Sequence, residues 1–359
     1  MLGWGRAGGL FSLAAAIVLA ACSPASPTTG TARASQVVLT FEVPRETSPP
    51  PASANPPSGR VRIAFGGDVH FAGSSAAALN GNPGSAVKLL KQADLSIVNL
   101  ETAITDRGTP GPKEFTFRAP AKALDVLRDA GIDVVTVANN HGMDYGPVGL
   151  ADTLAAGRRA QLPIVGAGKD AKQAYRPYRT TINGVRIAVI GATDVLDTFA
   201  QSSWPATATR PGLASAKDTP RLVRAVRAAR AQADVVVVDL HWGIEMESCP
   251  SARQQELAAV LTGAGAQVVV GSHAHVLEPH VQQGRTTVHY GLGNFVFYAT
   301  RPASVRSGVY DVVVDRDGVV RTKWHPAQIY GGRPALLTGP AARSADRAEN
   351  ELAERCGLA

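Results

Sequence analysis

From Val61 onward, short runs rich in Val and Ile alternate with amphipathic segments long enough to form helices. This alternation is typical of an α/β domain, in which helices connect the strands and cover the sheet. Two hairpin signals interrupt it, one with its turn at Asn183-Gly184 and one near Asp317-Gly318. Part of the sheet structure must therefore be antiparallel, and a mixed α/β assembly of two sheets fits the chain better than a purely parallel one.

The individual elements can be assigned from these runs. We predict strands at 61–66, 95–99, 134–138, 185–191, 235–240, 268–271 and 288–290. We predict helices at 85–93, 121–130, 146–159, 220–233 and 252–263. Residues 61–335 would form one domain, and the charged, Ala-rich tail at 336–359 is expected to be a loosely docked helix without a chemical role.

Residues 1–21 have the features of an export signal. Arg6 supplies positive charge, and the apolar run at 10–21 is too short to span a bilayer comfortably. The run ends in Leu-Ala-Ala-Cys at 19–22, which resembles the lipobox at which bacterial lipoproteins are cleaved and diacylated. We therefore predict lipidation at Cys22 and attachment to the extracytoplasmic face of the bacterial cell membrane. An ordinary secretory signal or an uncleaved anchor is the alternative.

Residues 22–60 are dense in Pro, Ser, Thr and Ala. Such a composition cannot bury enough apolar area to offset its chain entropy, so we predict a disordered tether. Its proline runs favour extended polyproline II geometry, which would hold the domain away from a lipid surface.

Nearly every predicted strand ends in residues that can bind metal ions or transfer protons. In open α/β sheets, ligands lie in the crevice at the carboxyl ends of the strands, so these side chains should converge. Singly, each has an ordinary structural explanation, such as a turn or a helix cap. Together they are costly to cluster unless a cation coordinates them, which predicts a metal site. They are Asp68, His70, Asn99, Glu101, Asn139, Asn140, His141, Asp144, His241, Glu245, His273, His275 and Asn294.

The spacing within this set suits metal binding. Asp68 and His70 are two residues apart, as are His273 and His275, and positions i and i+2 lie on one side of an extended chain. A carboxylate such as Glu101 can bridge two cations, which together would activate a shared hydroxide. Nitrogen and oxygen ligands without cysteine favour two divalent ions of Mn, Fe, Zn or Mg over a thiolate zinc site.

Two thiols besides that of Cys22 are present, at Cys249 and Cys356. In an oxidising extracytoplasmic compartment they could form a disulfide that closes a long loop. Separation along the chain does not give distance in space, so two unrelated free cysteines are the alternative.

Six short motifs, in order, resemble those of the CapA family of bacterial capsule synthesis proteins, which includes PgsA-like proteins of poly-γ-glutamate synthesis and is similar to calcineurin-like metallophosphoesterases. They are GGDVHF at 66–71, NLET at 99–102, ANNHGMDYG at 138–146, HWGIE at 241–245, GSHAHVLEP at 271–279 and GLGNFVF at 291–297. The resemblance covers about residues 61–330. It implies an α/β fold built as a four-layer α-β-β-α sandwich of the metallophosphoesterase type, with mixed sheets and a dinuclear site at one sheet edge.

The resemblance also implies a role for each site residue. One metal would be bound by Asp68, His70 and His275, and the other by Asn140, His241 and His273. Glu101 would bridge the two ions, and His141, whose pKa suits the role, would be the general acid that protonates the leaving group. Asp144 and Glu245 would orient the ligands from a second layer or meet a cationic substrate group. The other residues expected in that second layer are Asn99, Asn139 and Asn294.

The net charge of +7 favours anionic surroundings. An exported chain without a nucleic-acid recognition motif is not expected to bind nucleic acid. With the resemblance, this predicts a membrane-anchored, metal-dependent hydrolase of phosphoester or amide bonds that acts on an anionic surface polymer, such as capsule or poly-γ-glutamate, or on its precursor. The alternatives are a non-catalytic accessory subunit of a membrane polymer synthase, and a general extracytoplasmic metallophosphoesterase.

Overall fold

The computed structural model describes residues 59–358. The predicted signal at 1–21, the lipidation site Cys22 and nearly all of the tether lie outside the described residues. The strands are β1 (Val61–Val69), β2 (Leu95–Leu100), β3 (Ala103–Ile104), β4 (Arg118–Ala119), β5 (Val134–Thr136), β6 (Ile164–Val165), β7 (Ala167–Gly168), β8 (Tyr178–Ile182), β9 (Val185–Thr193), β10 (Gly212–Leu213), β11 (Val235–Trp242), β12 (Val268–His273), β13 (Leu277–Gln283), β14 (Thr286–Leu292), β15 (Asn294–Val296), β16 (Arg306–Asp315), β17 (Gly318–Tyr330) and β18 (Arg333–Leu336). The helices are α1 (Val87–Lys91), α2 (Lys122–Asp129), α3 (Gly146–Ala160), α4 (Ala171–Ala174), α5 (Thr219–Arg230), α6 (Ala252–Gly263) and α7 (Gly339–Arg355).

Two large mixed sheets form the framework. The first has the strand order β18-β17-β16-β1-β2-β5-β6, with β15 paired to β1. Its strands β1, β2, β5 and β6 run parallel, whereas β16, β17 and β18 are antiparallel. The second has the order β13-β14-β12-β11-β9-β8, parallel in the middle and antiparallel at both edges. The predicted mixed sheets are therefore confirmed.

The two sheets pack face to face, and helices cover their outer faces. The burial of successive side chains along β1 shows this. Ile63 and Phe65 lie in the core between the two sheets, whereas Ala64 lies on the opposite face of the first sheet, which the helices cover. Leu124 of α2 packs in that outer core of the first sheet, and Leu222 of α5 packs on the outer face of the second. The four-layer α-β-β-α arrangement predicted from the sequence is confirmed.

Local sequence signals account for several element boundaries. Ser251 and Gln254 form a reciprocal capping box at the start of α6, and Asp218 caps α5 by accepting a hydrogen bond from the Arg221 N–H.

All seven predicted strands and five predicted helices are present, although the helix expected at 85–93 is reduced to α1. The hairpin turn at Asn183-Gly184 joins β8 to β9, and the second predicted hairpin joins β16 to β17.

The C-terminal tail differs from the prediction. It is helical, as expected, but it is not loosely docked, because Leu352 of α7 packs into the core between the two sheets. Cys249 and Cys356 form a disulfide with a Cα–Cα distance of 5.4 Å, which fixes the end of the helix to the loop after β11. A disulfide across a separation of 107 residues restricts the unfolded chain, an effect that typically stabilises a fold by about 2–4 kcal/mol.

Within residues 59–358, none of the helices combines the length and the apolar character needed to cross a bilayer.

Candidate metal centre

The polar residues predicted at the strand ends come together where the ends of β1, β2 and β5 meet those of β11 and β12. Within the first sheet, Asp68 lies beside both Asn99 and Asn294 in the strand register. The two sheets are joined directly at this point. The Nδ2 of Asn99 lies 3.1 Å from the Nδ1 of His241, and the backbone N–H of His273 donates to the Oδ2 of Asp68 at 3.2 Å.

Glu101 lies at the middle of this cluster. Its side chain is fully buried, and neither carboxylate oxygen has a hydrogen-bond partner. Its Oε1 is 3.7 Å from the Nε2 of His241, 3.8 Å from that of His275 and 3.9 Å from that of His141. These distances are too long for hydrogen bonds but suit ligands that surround a shared cation. Burial raises the pKa of Glu101 well above its ordinary value, so a carboxylate at this position needs positive charge nearby.

Two histidines also present unpaired nitrogen atoms to the cluster. The Nε2 of His70 and the Nδ1 of His273 are buried without a partner. His70 is oriented by Ser75, whose Oγ lies 2.9 Å from the opposite ring nitrogen, Nδ1. Burial lowers the pKa of both histidines to about 3, so each ring is neutral, which is the form that binds a metal ion. The residues present therefore fit a metal centre.

Asp68 and His275 form one side of the centre. Asp68 accepts a hydrogen bond from Asn99 at 2.7 Å, and its Oδ2 lies 3.2 Å from the Nδ1 of His275. Burial alone would lower the pKa of His275, but the nearby carboxylates of Glu101 and Asp68 raise it to about 10. Because a protonated imidazole cannot bind a metal, an ion that binds here must displace a proton from His275. One ligand atom from each of Asp68, Glu101 and His275 lies within 4.8 Å of the others.

Asn140 and His241 form the other side. The Oδ1 of Asn140 lies 2.8 Å from the Nε2 of His241, and the second ring nitrogen of His241 contacts Ser272 and Asn99. Burial lowers the pKa of His241 well below its ordinary value, so this ring is neutral as well. Glu101 thus lies near one member of each ligand group implied by the family resemblance, His275 of the first group and His241 of the second. The division of these groups between two ions stays a prediction.

The last residue of β12 and the loop after it adopt an unusual backbone conformation. His273 has φ +97° and His275 has φ +57°, values in the left-handed region that favours glycine. The two rings do lie close together, with centroids 6.0 Å apart, but a turn brings them there and not the extended chain that was expected. Conformations of this kind cost on the order of 1–3 kcal/mol each and are concentrated at functional sites.

His141 is positioned by Asp144. The Nδ1 of His141 lies 2.7 Å from the Oδ2 of Asp144, which leaves Nε2 directed at Glu101. Asp144 is itself held by the Phe117 N–H at 2.6 Å and by an ion pair with Lys113 at 3.0 Å. The side chain of His141 is only 7% exposed. Burial lowers its pKa, and the hydrogen bond and charge of Asp144 act in the opposite direction.

The predicted second layer of polar residues is present, with one exception. Asn139 donates to the Oδ1 of Asn99 at 2.9 Å, and Asn294 lies 2.9 Å from the Nδ1 of His275 through its Oδ1. Glu245 differs, since it is exposed and, among the described residues, makes no hydrogen bond to these histidines. Its carboxylate lies within 4.8 Å of ligand atoms of His273 and His275, where it could bind an ion or a substrate group directly.

Sequence reasoning missed two features of the site. Lys113 lies in a loop without hydrophobic periodicity, yet its ammonium bridges Asp144 and Asp197, each at 3.0 Å. Aromatic rings also form a wall around His70, with ring centroids 3.8 Å away for Phe297, 4.5 Å for Tyr298 and 4.7 Å for Phe117. The aromatic residues of the GLGNFVF motif were a signal for part of this wall, whereas no local pattern marks Lys113.

Comparison with known proteins places this arrangement in a family context. The chain is 34% identical over 252 residues to the "PGA biosynthesis protein CapA" of Bacillus subtilis and 37% identical over 229 residues to the "Capsule biosynthesis protein CapA" of Bacillus anthracis. It is 30% identical over 231 residues to the "Probable polyglutamine synthesis accessory protein Rv0574c" of Mycobacterium tuberculosis. The three alignments cover 69%, 63% and 59% of this chain, in the order given. They cover 64%, 55% and 58% of the relatives, so the chain spans little more than half the length of the Bacillus anthracis and Mycobacterium tuberculosis proteins.

A solved structure of a phosphatase from Mycoplasma pneumoniae aligns with 80% of this chain and 97% of its own, with 15% identity and a TM-score of 0.48. The sequence model of the family described as "Bacterial capsule synthesis protein PGA_cap" matches residues 62–299, which contain every predicted metal ligand. The chain therefore belongs to the bacterial capsule synthesis protein family PGA_cap.

Proposed function

We propose that this protein is a hydrolase with two divalent metal ions that acts in the biosynthesis of an anionic surface polymer, either capsule or poly-γ-glutamate. The observation that carries the proposal is the unpaired Glu101 carboxylate, which faces three imidazole nitrogens at 3.7–3.9 Å. Family membership and the names of the relatives, which refer to capsule and PGA biosynthesis, support the choice of polymer.

The proposed metal ligands are those that the family resemblance implies, and the burial and unpaired atoms of the site support them. Asp68, His70 and His275 would bind one ion, and Asn140, His241 and His273 the other, with Glu101 shared between them. Mn, Fe, Zn or Mg would suit this mixture of nitrogen and oxygen ligands. Such ions, when bound, supply Lewis-acid activation of water and neutralise negative charge on the group under attack.

His141 would donate the proton that the leaving group needs. In a hydrolysis, water oxygen forms a bond to phosphorus or to the carbonyl carbon, and the bond to the leaving oxygen or nitrogen breaks. The Nε2 of His141 faces the centre, whereas the Nδ1 is fixed by Asp144, so proton transfer is directed to one side of the ring. Lys113 holds Asp144 in place through its ion pair, and the aromatic wall around His70 limits the access of bulk water.

The proposal is tested with the full chain loaded with Mn²⁺ or Zn²⁺ and incubated with poly-γ-glutamate and with a nitrophenyl phosphodiester. We expect hydrolysis of at least one of the two substrates, abolished by a chelator and restored by added metal. Asp68→Asn should remove the activity, because it weakens one ion position without changing the size of the side chain. Metal bound at the centre without hydrolysis of either substrate would overturn the hydrolase proposal and favour an accessory subunit of a polymer synthase.

We also propose that the protein is anchored to the extracytoplasmic face of the cell membrane through a lipid on Cys22. The support is the Leu-Ala-Ala-Cys pattern at 19–22, which follows a short apolar run. Two acyl chains would hold the protein stably on a membrane, since burial contributes about 0.8 kcal/mol per CH₂ group.

Cys22→Ser should move the protein from the membrane fraction to the soluble fraction of cells, as measured by immunoblotting after centrifugation. A Cys249→Ser, Cys356→Ser double variant is the matched control, because it also removes cysteines but leaves the proposed anchor intact. Equal membrane retention of Cys22→Ser and wild type would contradict lipidation at this position.

A further inference from the structure

A second cluster of metal-binding side chains lies away from the proposed centre, beneath helix α7. His280 on β13 and His289 on β14 are directly opposite each other in an antiparallel pair. Opposed residues of this kind point to the same face of a sheet, and their ring centroids are 5.8 Å apart. Glu349 of α7 lies against both rings, so three elements contribute one residue each.

The polar atoms of this cluster are only partly satisfied. The Oε1 of Glu349 lies 2.8 Å from the Nδ1 of His280, but its Oε2 is buried without a partner. His289 is fully buried, and neither of its ring nitrogens has a hydrogen-bond partner. A buried polar group without a partner typically costs on the order of 1–3 kcal/mol, so the protein chain alone does not explain this arrangement.

The neighbours of the cluster do not supply the missing partners. The rings of Tyr310 and Trp324 enclose His289, with centroids 4.7 Å and 5.4 Å away. The Tyr310 hydroxyl already bonds to Thr287 at 2.6 Å. Burial lowers the pKa of Arg306, and the charge of Glu349 acts in the opposite direction. Within residues 59–358, however, no ion pair joins these two side chains.

We infer that His280, His289 and Glu349 form a second, structural metal site that clips α7 onto the β13–β14 hairpin. Two histidines and one carboxylate are a ligand set that zinc accepts in proteins. In a tetrahedral zinc site, neighbouring ligand atoms are about 3.3–3.4 Å apart, because the bonds are about 2.0–2.1 Å long. The Oε1 of Glu349 lies 2.8 Å from His280 and 3.8 Å from His289, each about half an ångström from this value, and the ligand atoms of all three residues lie within 4.8 Å of one another.

The position of the cluster fits a structural role. Among the three residues, His280 is the one with access to solvent, with 21% of its side chain exposed, so a water molecule as fourth ligand would reach the metal from that side. The helix is held by Leu352 in the core and by the disulfide at Cys356, and Glu349 lies one turn before Leu352. A metal at Glu349 would add a third attachment, on the side of the helix that faces β13 and β14.

The test compares the full-length wild type with His280→Gln, both freed of metal by a chelator and then titrated with Zn²⁺. His325→Gln is the matched control, because His325 is also 21% exposed and bonds to a carboxylate, that of Asp311, at 2.8 Å. Elemental analysis should find one zinc ion fewer per chain in His280→Gln than in wild type and His325→Gln. Zinc at the proposed catalytic centre is common to all three proteins and cancels in this difference.

Hydrogen exchange of the α7 amides gives a local measurement, and the comparison with His280→Gln, which keeps the other centre, isolates the effect of zinc at this cluster. At a free zinc concentration about one hundred times the dissociation constant, opening of the helix should become about one hundredfold rarer in wild type and His325→Gln. His280→Gln should show no such slowing, and Glu349→Gln, which preserves the size of the side chain, should behave in the same way. Equal zinc content in wild type and His280→Gln, or α7 exchange that zinc does not alter in wild type, would overturn the inference.

Discussion

Replacing Glu101 with Gln should leave both positions of the proposed dinuclear centre without metal at a concentration that saturates the wild type. The substitution keeps the size of the side chain but removes the negative charge, which lies within 3.9 Å of three imidazole nitrogens. Because this is the ligand that both ions would share, its loss should affect both of them. Asn140→Ala is the informative comparison, since Asn140 offers a neutral oxygen to one side of the centre and should weaken that ion alone.

The measurement is elemental analysis of the full chain after reconstitution and removal of free metal. Metal-dependent hydrolysis should disappear together with the metal. A thermal scan shows whether the variant has lost metal because it is unfolded. Since neither Glu101 oxygen has a hydrogen-bond partner, the substitution breaks no hydrogen bond, and the variant should still unfold cooperatively. If Glu101→Gln lost only one equivalent of metal relative to the wild type, Glu101 would be the ligand of a single ion and the bridging role would be wrong.

The sequence was informative about features that depend on neighbouring residues. The Asn183-Gly184 turn was predicted because the two residues that form it determine its type, and β8 and β9 pair around it. The strand cores were found because valine and isoleucine are concentrated in them. Strand-end residues were expected to converge because parallel strands in a sheet end at one edge, and Asp68 does lie beside Asn99.

Features that depend on distant contacts could not be predicted in this way. The polar, alanine-rich sequence of α7 indicated a helix but gave no sign that Leu352 and Glu349 are buried against strands from both sheets. The disulfide was undetermined for the same reason, since a separation of 107 residues leaves the distance open. The burial of His141 and the ion pairs of Lys113 are likewise set by loops that pack together only in the folded chain.

His141→Ala should lower the rate of hydrolysis by roughly 10²–10⁴-fold and leave the metal content near that of the wild type. The reason is the position of the ring: its Nε2 faces the centre at 3.9 Å from Glu101, but it is not among the predicted ligands. Asp144→Asn should cause a smaller loss, because Asp144 orients the imidazole from the opposite nitrogen at 2.7 Å. Both variants are assayed at saturating metal, with metal content measured on the same samples.

The dependence on the leaving group decides whether His141 acts as a general acid. A nitrophenolate departs without protonation, whereas an alkoxide or an amine needs a proton as the bond breaks. The loss of rate in His141→Ala should therefore be largest for alkyl phosphodiesters or γ-glutamyl amides and should shrink towards wild-type rates for nitrophenyl substrates. An equal loss on both kinds of substrate would mean that His141 binds the substrate or a metal ion, and that the proton comes from another group.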